Sequence, residues 1–390
     1  MSGRSSRVIS GDTHLEIDSR RWVERVPKEH RDRAPRVVRL PDGGDGWIIE
    51  GTPIREIPQD LYGGKGRGQW TPFGQSYEKT AGTGSAEQRL GEQDLDGVDA
   101  EVLFPGVSGP GLWRNIRDDD AYLAVVRAYN SFLAEEYCAT NPDRLLGIGI
   151  IPQTGVADAI AELSYCKGAG LKGILLSRFP NGSGMPKPID DPFWAAALDL
   201  EMPVTAHVEI NRAGAPMLME YPNAKPGVLK RIHPPAMFAE QVTKMARPAG
   251  VNAVQLVLSG VFDRFPDLEI FFAETQIGWV PLFLEVAEQR FDRHHIWAES
   301  LLGWEPLKDG TPSEYIRRHC SWGFQKDLTG VTMRHAIGVD RLIWGSDFPH
   351  QESDWPNSMT IIKENFESVP EEEIQLMTCG NIARFLHLEG

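Results

Sequence analysis

The 390-residue chain has few cysteines and no cysteine pairing pattern. Cys138, Cys166, Cys320 and Cys379 are far apart, with no CxxC spacing, so they read as free thiols of a reducing compartment. No apolar run approaches the 18 residues of a membrane span. Residues 1–7 are basic but lack the apolar stretch of a signal peptide, and a cytoplasmic location is expected. Basic charge is also in deficit. A formal net charge of −15 argues against nucleic acid or an anionic membrane as partner and leaves a small molecule as the expected ligand. The glycine run Gly63–Gly68 lacks the GxxxxGK[ST] spacing of a phosphate loop and reads as a mobile surface loop. There is no internal repeat and no low-complexity tract. What remains has the 41% hydrophobic and 24% charged content of an ordinary globular enzyme.

What is present is concentrated at the two ends. Val8–Ile9–Ser10–Gly11–Asp12–Thr13–His14–Leu15–Glu16 reads as an apolar strand ending in Asp-x-His-x-Glu. Leu342–Ile343–Trp344–Gly345–Ser346–Asp347 reads as another strand ending in Asp, followed by Phe348, Pro349 and His350. Residues i and i+2 of a strand share a face, so Asp12, His14 and Glu16 can converge. Carboxylate with imidazole is a ligand set for zinc, manganese or ferrous iron. A first and a last strand become neighbours only if the sheet between them closes.

The middle of the chain predicts that closure. Apolar runs of strand length occupy Ala100–Pro105, Leu145–Pro152, Leu171–Ser177, Pro203–Val208, Leu268–Glu274, Cys320–Phe324 and Arg341–Asp347. Helical patterns such as Asp120–Asn141 and Ala157–Ala169 separate them. With Val8–Asp12 there are about eight βα units, which predicts one (β/α)8 TIM barrel domain spanning residues 1–390. Barrel enzymes keep their chemistry at the C-terminal strand ends, where Asp12, His14, His207, Glu274 and Asp347 all fall.

Insertions are expected after barrel strands one, two and five: residues 18–88, 106–116 and 209–250. Trp47–Glu50 predicts a small hairpin within the first. Trp113 in the second, and Met217, Met237 and Phe238 in the third, are candidates to line an apolar substrate pocket, with packing as the alternative role. Arg178 is a candidate clamp for a substrate carboxylate or phosphate. His350 either touches the substrate, supports the metal site, or bonds a backbone carbonyl. His294 and His295 are expected to cap the C-terminal end of a helix.

These pieces together resemble the amidohydrolase-related family of the metal-dependent amidohydrolase superfamily, the branch holding aminocarboxymuconate semialdehyde decarboxylase and the resorcylate-type decarboxylases. The resemblance is carried by Asp12–Thr13–His14, Gln93–Ala100, Tyr129–Asn130, Asn141–Arg144, Ile151–Gln153, Gly260–Pro266, Gly278–Pro281, Trp344–His350 and Gly380–Arg384. It implies that Asp12, His14, His207 and Asp347 bind a divalent metal ion, with zinc expected first and iron or manganese as alternatives. One ion is expected. Two are allowed if Glu16 and Glu274 also bind. It also implies a homodimer or higher homo-oligomer. One departure stands out. Decarboxylase relatives place a histidine after strand six, and here Thr275 takes that position behind Glu274. The reading drawn from this is a hydrolase of an amide, ester or thioester with a bulky apolar acyl group, Asp347 and Glu274 acting as its acid–base pair. Alternatives are non-oxidative decarboxylation of an aromatic or enoic acid, hydration of an enoic acid, and a barrel that binds without catalysis.

Overall fold

The computed structural model describes residues 7–40, 43–50, 52–56, 63–69, 74–106, 109, 113–210 and 247–388. The strands are β1 (Ile9–Leu15), β2 (Arg36–Arg39), β3 (Asp45–Ile49), β4 (Thr52–Glu56), β5 (Ala100–Pro105), β6 (Leu145–Ile150), β7 (Gly173–Leu175), β8 (Val204–His207), β9 (Ile270–Ala273), β10 (Cys320–Phe324) and β11 (Leu342–Trp344). Eight of them pair in the order β1-β5-β6-β7-β8-β9-β10-β11, every pairing parallel. The seam between first and last is joined just past β11. There the Asp347 amide donates to the Asp12 carbonyl at 2.9 Å and the His14 amide donates to the Phe348 carbonyl at 2.8 Å. The sheet is therefore the expected (β/α)8 barrel.

Alternation along each strand sorts side chains into two apolar layers. Ile9, Val102, Phe104, Leu146, Ile148, Phe271 and Ala273 fill the barrel interior. Ile382, Phe385 and Leu386 of the C-terminal helix pack on the same cluster. Leu103, Leu145, Ile174, Val204, Ile270 and Phe272 point outward into a larger layer beneath the helices. The strands are buried on both faces, which is why they read in the sequence as unbroken apolar runs. All four cysteines are free, as expected. No helix among the described residues is long and apolar enough to cross a membrane.

The first insertion holds more structure than a hairpin. β2, β3 and β4 form a three-stranded antiparallel sheet, with Trp47 Nε1 donating to Tyr77 Oη at 3.0 Å. The glycine run is a surface loop, as expected, anchored at its first residues. The Gly63 amide donates to the Pro349 carbonyl at 3.1 Å. A β-carbon on Gly63 would strike the Phe348 ring, and one on Gly64 the Trp355 ring, so these glycines let the chain pass under two aromatic faces. His294 and His295 are a second correction. The helix Val280–Leu302 continues past them to a Gly303 cap, so they lie on its body. Residues 211–246 of the third insertion, with Met217, Met237 and Phe238, lie outside the described residues.

Gly345 is the seam's tightest point. A β-carbon there would stand 2.6 Å from Asp12 Cβ and 2.8 Å from Asp12 N. Gly345→Ala must push β1 and β11 apart at Asp12. We expect a loss of about 1–3 kcal/mol from overpacking and a reduced divalent-metal content, read by chemical denaturation and elemental analysis. A variant with unchanged stability and metal content would show that the seam tolerates widening.

Candidate metal centre

The seam dictates what meets at the barrel mouth. Asp12 and His14 project from the same face of β1 and are almost fully buried. His207 ends β8, with Nε2 3.4 Å from Asp12 Oδ1. Asp347, just beyond β11, places Oδ1 3.4 Å from His14 Nε2. Two triads satisfy metal-ligand spacing, Asp12–His14–His207 and His14–Asp347–His350. The Nδ1–H of His14 donates to the Pro105 carbonyl at 3.0 Å, which fixes the tautomer and turns the Nε2 lone pair toward the carboxylates.

The backbone is bent to make this meeting possible. Val208, Glu274, Gln276 and Asp347 all have left-handed φ angles between 52° and 60° at the ends of β8, β9 and β11. For a β-branched residue such as Val208 that conformation is an outlier, and strain of this kind clusters at functional sites.

The electrostatics call for a cation. Asp12 and Asp347 are buried together, and among the described residues neither oxygen of Asp12 nor Oδ2 of Asp347 has a hydrogen-bond partner. Burial pushes the Asp12 carboxyl up to about 7, against the opposing pull of His350. It raises Asp347 as well. There His350 opposes the shift and the Asp12 charge adds to it. Buried charges are kept only when paired or bound to metal. The two triads share His14, and carboxylate with imidazole is a fitting donor set for a divalent ion.

Behind the ligands stands a second tier. His350 Nδ1 lies 3.0 Å from Asp347 Oδ1, and its Nε2 lies 3.3 Å from Glu16 Oε1. The His350 ring is 4.0 Å from that of His14. Glu16 thus reaches the site through His350. Glu274 stands at the edge, Oε2 3.7 Å from His207 Nδ1, and is more exposed than the others. Two further sequence candidates follow β5 and β7. Trp113 is buried in the outer layer between Trp22 and Tyr129, with ring centroids 5.1 Å from each, and Arg178 is exposed. Trp113 takes the packing role because the first insertion brings Trp22 over it.

Arg89 belongs to no motif legible in the sequence. It lies in the helix Ala86–Asp96, whose charged composition reads as a solvated face, yet it is fully buried. Its Nε donates to Glu101 Oε2 at 2.6 Å. Its Nη1 donates to the His14 carbonyl at 3.1 Å and its Nη2 to the Phe348 carbonyl at 3.3 Å. One guanidinium therefore ties both sides of the seam directly behind the metal ligands.

Strand-end acids and histidines on a parallel barrel define the metal-dependent class of barrel enzymes. Residues 78–388 match the amidohydrolase family model, and the chain belongs to that family. Among curated proteins, the gamma-resorcylate decarboxylase of Rhizobium radiobacter is 27% identical over 289 residues, covering 70% of this chain and 81% of that one. An amidohydrolase from Mycobacterium avium subsp. paratuberculosis shares the fold with a TM-score of 0.72 at 19% identity, covering 98% of this chain and all of its own. A dihydroxybenzoic acid decarboxylase from Polaromonas, solved with manganese and 2-nitroresorcinol, gives 0.61 at 19%, covering 98% of this chain and 97% of its own.

These relatives overturn the expectation of a hydrolase, since the curated match is a decarboxylase. The physical reason for expecting hydrolysis was Thr275, and the structure removes it. The Thr275 hydroxyl is tied to the Gln276 and Gly323 carbonyls at 3.0 and 3.1 Å, so this position serves the backbone. An imidazole still stands at the site, supplied by His350 from the β11 end.

Two outcomes follow. Arg89→Met leaves Glu101 buried without its cation and should cost about 3–5 kcal/mol, with Glu101→Leu added to it recovering most of the loss. Urea denaturation checks this, and a single-variant loss below about 1 kcal/mol would mean the pair is not a strut. Separately, a cation must displace the proton that Asp12 holds below about pH 7. Manganese affinity, titrated calorimetrically, should weaken at least about tenfold per pH unit on acidification below 7 and level off above it. A flat profile from pH 5 to 8 would contradict the buried carboxylate's part in binding.

Proposed function

We propose that this protein is a metal-dependent, non-oxidative decarboxylase of an aromatic or enoic acid. The observation that carries the reading is the line Asp347–His350–Glu16 alongside Asp12, His14 and His207. Asp12, His14, His207 and Asp347 are the proposed ligands of one divalent ion, with manganese the first choice because the Polaromonas decarboxylase holds it. When bound, the ion fixes the substrate's carboxylate and an adjacent oxygen and withdraws electron density from the ring.

The rest falls to the chain's own side chains. Loss of CO2 breaks a C–C bond and leaves its electron pair on the substrate carbon. That carbon must then receive a proton, forming a C–H bond. Asp347 is the proposed donor, because it lies at the proposed ion's site with Oδ1 3.0 Å from His350 Nδ1, through which a proton can be returned to it. His350 touches Asp347 with one nitrogen and Glu16 with the other, so a proton from Glu16 can replace the one spent. Glu274, next to His207, holds that imidazole in place in this scheme. The deep burial of Asp12, His14 and Asp347 excludes bulk water, as protonation by a single defined donor requires.

With manganese bound, the protein should release CO2 from a panel of hydroxybenzoic and conjugated enoic acids. Asp347→Asn should lower turnover by on the order of 10²-fold or more, the usual worth of a lost acid–base group. His350→Gln should lower it less and move the pH profile. In deuterated water one deuterium should appear at the vacated carbon. No CO2 from any panel member with manganese, zinc or iron would defeat the reading.

A further inference from the structure

The ligand-type side chains of the metal centre come from one part of the barrel wall. Among the described residues they stand at or just past the ends of β1, β8 and β11. The arc of the sheet between β1 and β8 is made of β5, β6 and β7, and it brings the apolar side chains of Phe104, Ile148 and Leu175 to the interior.

Phe104 is the member of this arc that meets the histidines. It is fully buried and pairs in register with His14 across the β1–β5 ladder. Its ring centroid lies 6.1 Å from that of His14, at an interplanar angle of 39°, and 5.2 Å from that of His207, at 65°. The two imidazoles are 4.5 Å apart and tilted by 76°. The three rings form a closed triangle, with every edge in the ordinary separation of packed aromatic rings, about 4.5–7 Å.

The end of β5 thus holds His14 twice. The Pro105 carbonyl takes its Nδ1–H, and the Phe104 ring, one residue earlier, lies beside the imidazole. His207 is held differently. Glu274 Oε2 is 3.7 Å from its Nδ1, beyond hydrogen-bond length, whereas both Phe104 and His14 meet its ring edge to face.

We infer that Phe104 is a positioning residue of the metal centre. Its ring braces both ligand imidazoles and closes the β5–β7 side of the site, so that water reaches a bound ion from the mouth and not from that side. The apolar surroundings of a metal site govern how much solvent enters it, and here one aromatic ring supplies them where the neighbouring strands supply no ligand. The inference rests on the proposed ligand set and not on decarboxylation.

The test reads manganese and its water, with no need of turnover. Affinity is titrated by calorimetry, and exchangeable water on the ion is read from the relaxation each bound manganese induces in water protons. Phe104→Ala opens a space lined partly by imidazole, and a space with polar partners fills with water where a wholly apolar one stays dry. Four protein ligands leave an octahedral ion about two open positions, so one more water should raise that relaxation by roughly half. Affinity should fall about 10-fold or more, the usual result of removing a group that orients a ligand. Phe104→Leu, which keeps an apolar side chain, should move both readings the same way by less. Phe271→Leu is the control for loosened packing. Phe271 belongs to the same interior cluster, two residues before Ala273, the register partner of His207. That variant should lower the melting temperature and leave both manganese readings at wild-type values. If Phe104→Ala does not fold, Phe104→Leu against Phe271→Leu decides alone. Wild-type affinity and relaxation in the Phe104 variants would overturn the inference, as would an equal shift in Phe271→Leu. A wild-type protein that binds no manganese would defeat the metal centre and this inference with it. The expected shifts with no CO2 release from any acid would uphold the role of Phe104 and count against the decarboxylase reading alone.

Discussion

Two carboxylates share one buried volume where the barrel closes, and the rest of the site is arranged around that burial. Asp12 comes from the first strand and Asp347 from just past the last, and only closure brings them together. Without a cation each is driven toward its protonated form. Every other part of the site then has a physical reason to be there. His14 and His207 supply neutral nitrogen donors. Gly345 permits the close approach of the strands. Arg89 holds both sides of the seam by their carbonyl oxygens. The same features that make the centre costly for a folded protein make it a strong site for a divalent ion, whose charge replaces the missing compensation.

Function follows from what stands beside the ligands. A hydrolase and a decarboxylase can share the same metal donors and differ in where the proton goes. In the proposed decarboxylase the proton path is Glu16, His350 and Asp347, neighbouring side chains along that line lying within 3.3 Å of each other.

Much of this was legible in the sequence, for identifiable reasons. Barrel strands are buried on both faces, so they appear as apolar runs, and Cys320–Phe324 and Ala100–Pro105 were placed to the residue. Asp12 and His14 stood out through the two-residue repeat of a strand. What was hidden depends on contacts between distant segments. Arg89 belongs to no sequence motif, and only the fold reveals Glu101 and two carbonyls around it. Glycine signals freedom locally, whereas at Gly63 and Gly64 the missing β-carbons make room for Phe348 and Trp355. Trp113 looked like pocket lining because it follows a barrel strand, until Trp22 covered it. Thr275 argued against decarboxylation only while His350 had no assigned place.

The central claim is that Asp12, His14, His207 and Asp347 jointly hold one divalent ion at the seam. The most direct measurement is an anomalous-difference map from crystals of the manganese-loaded protein. The account predicts a single strong peak within bonding distance of an oxygen from each aspartate and a nitrogen from each histidine, with His350 and Glu16 outside that shell. A peak bonded to Glu274 and Glu16 in place of Asp12 and Asp347, or no peak at the barrel mouth in active crystals, would contradict it.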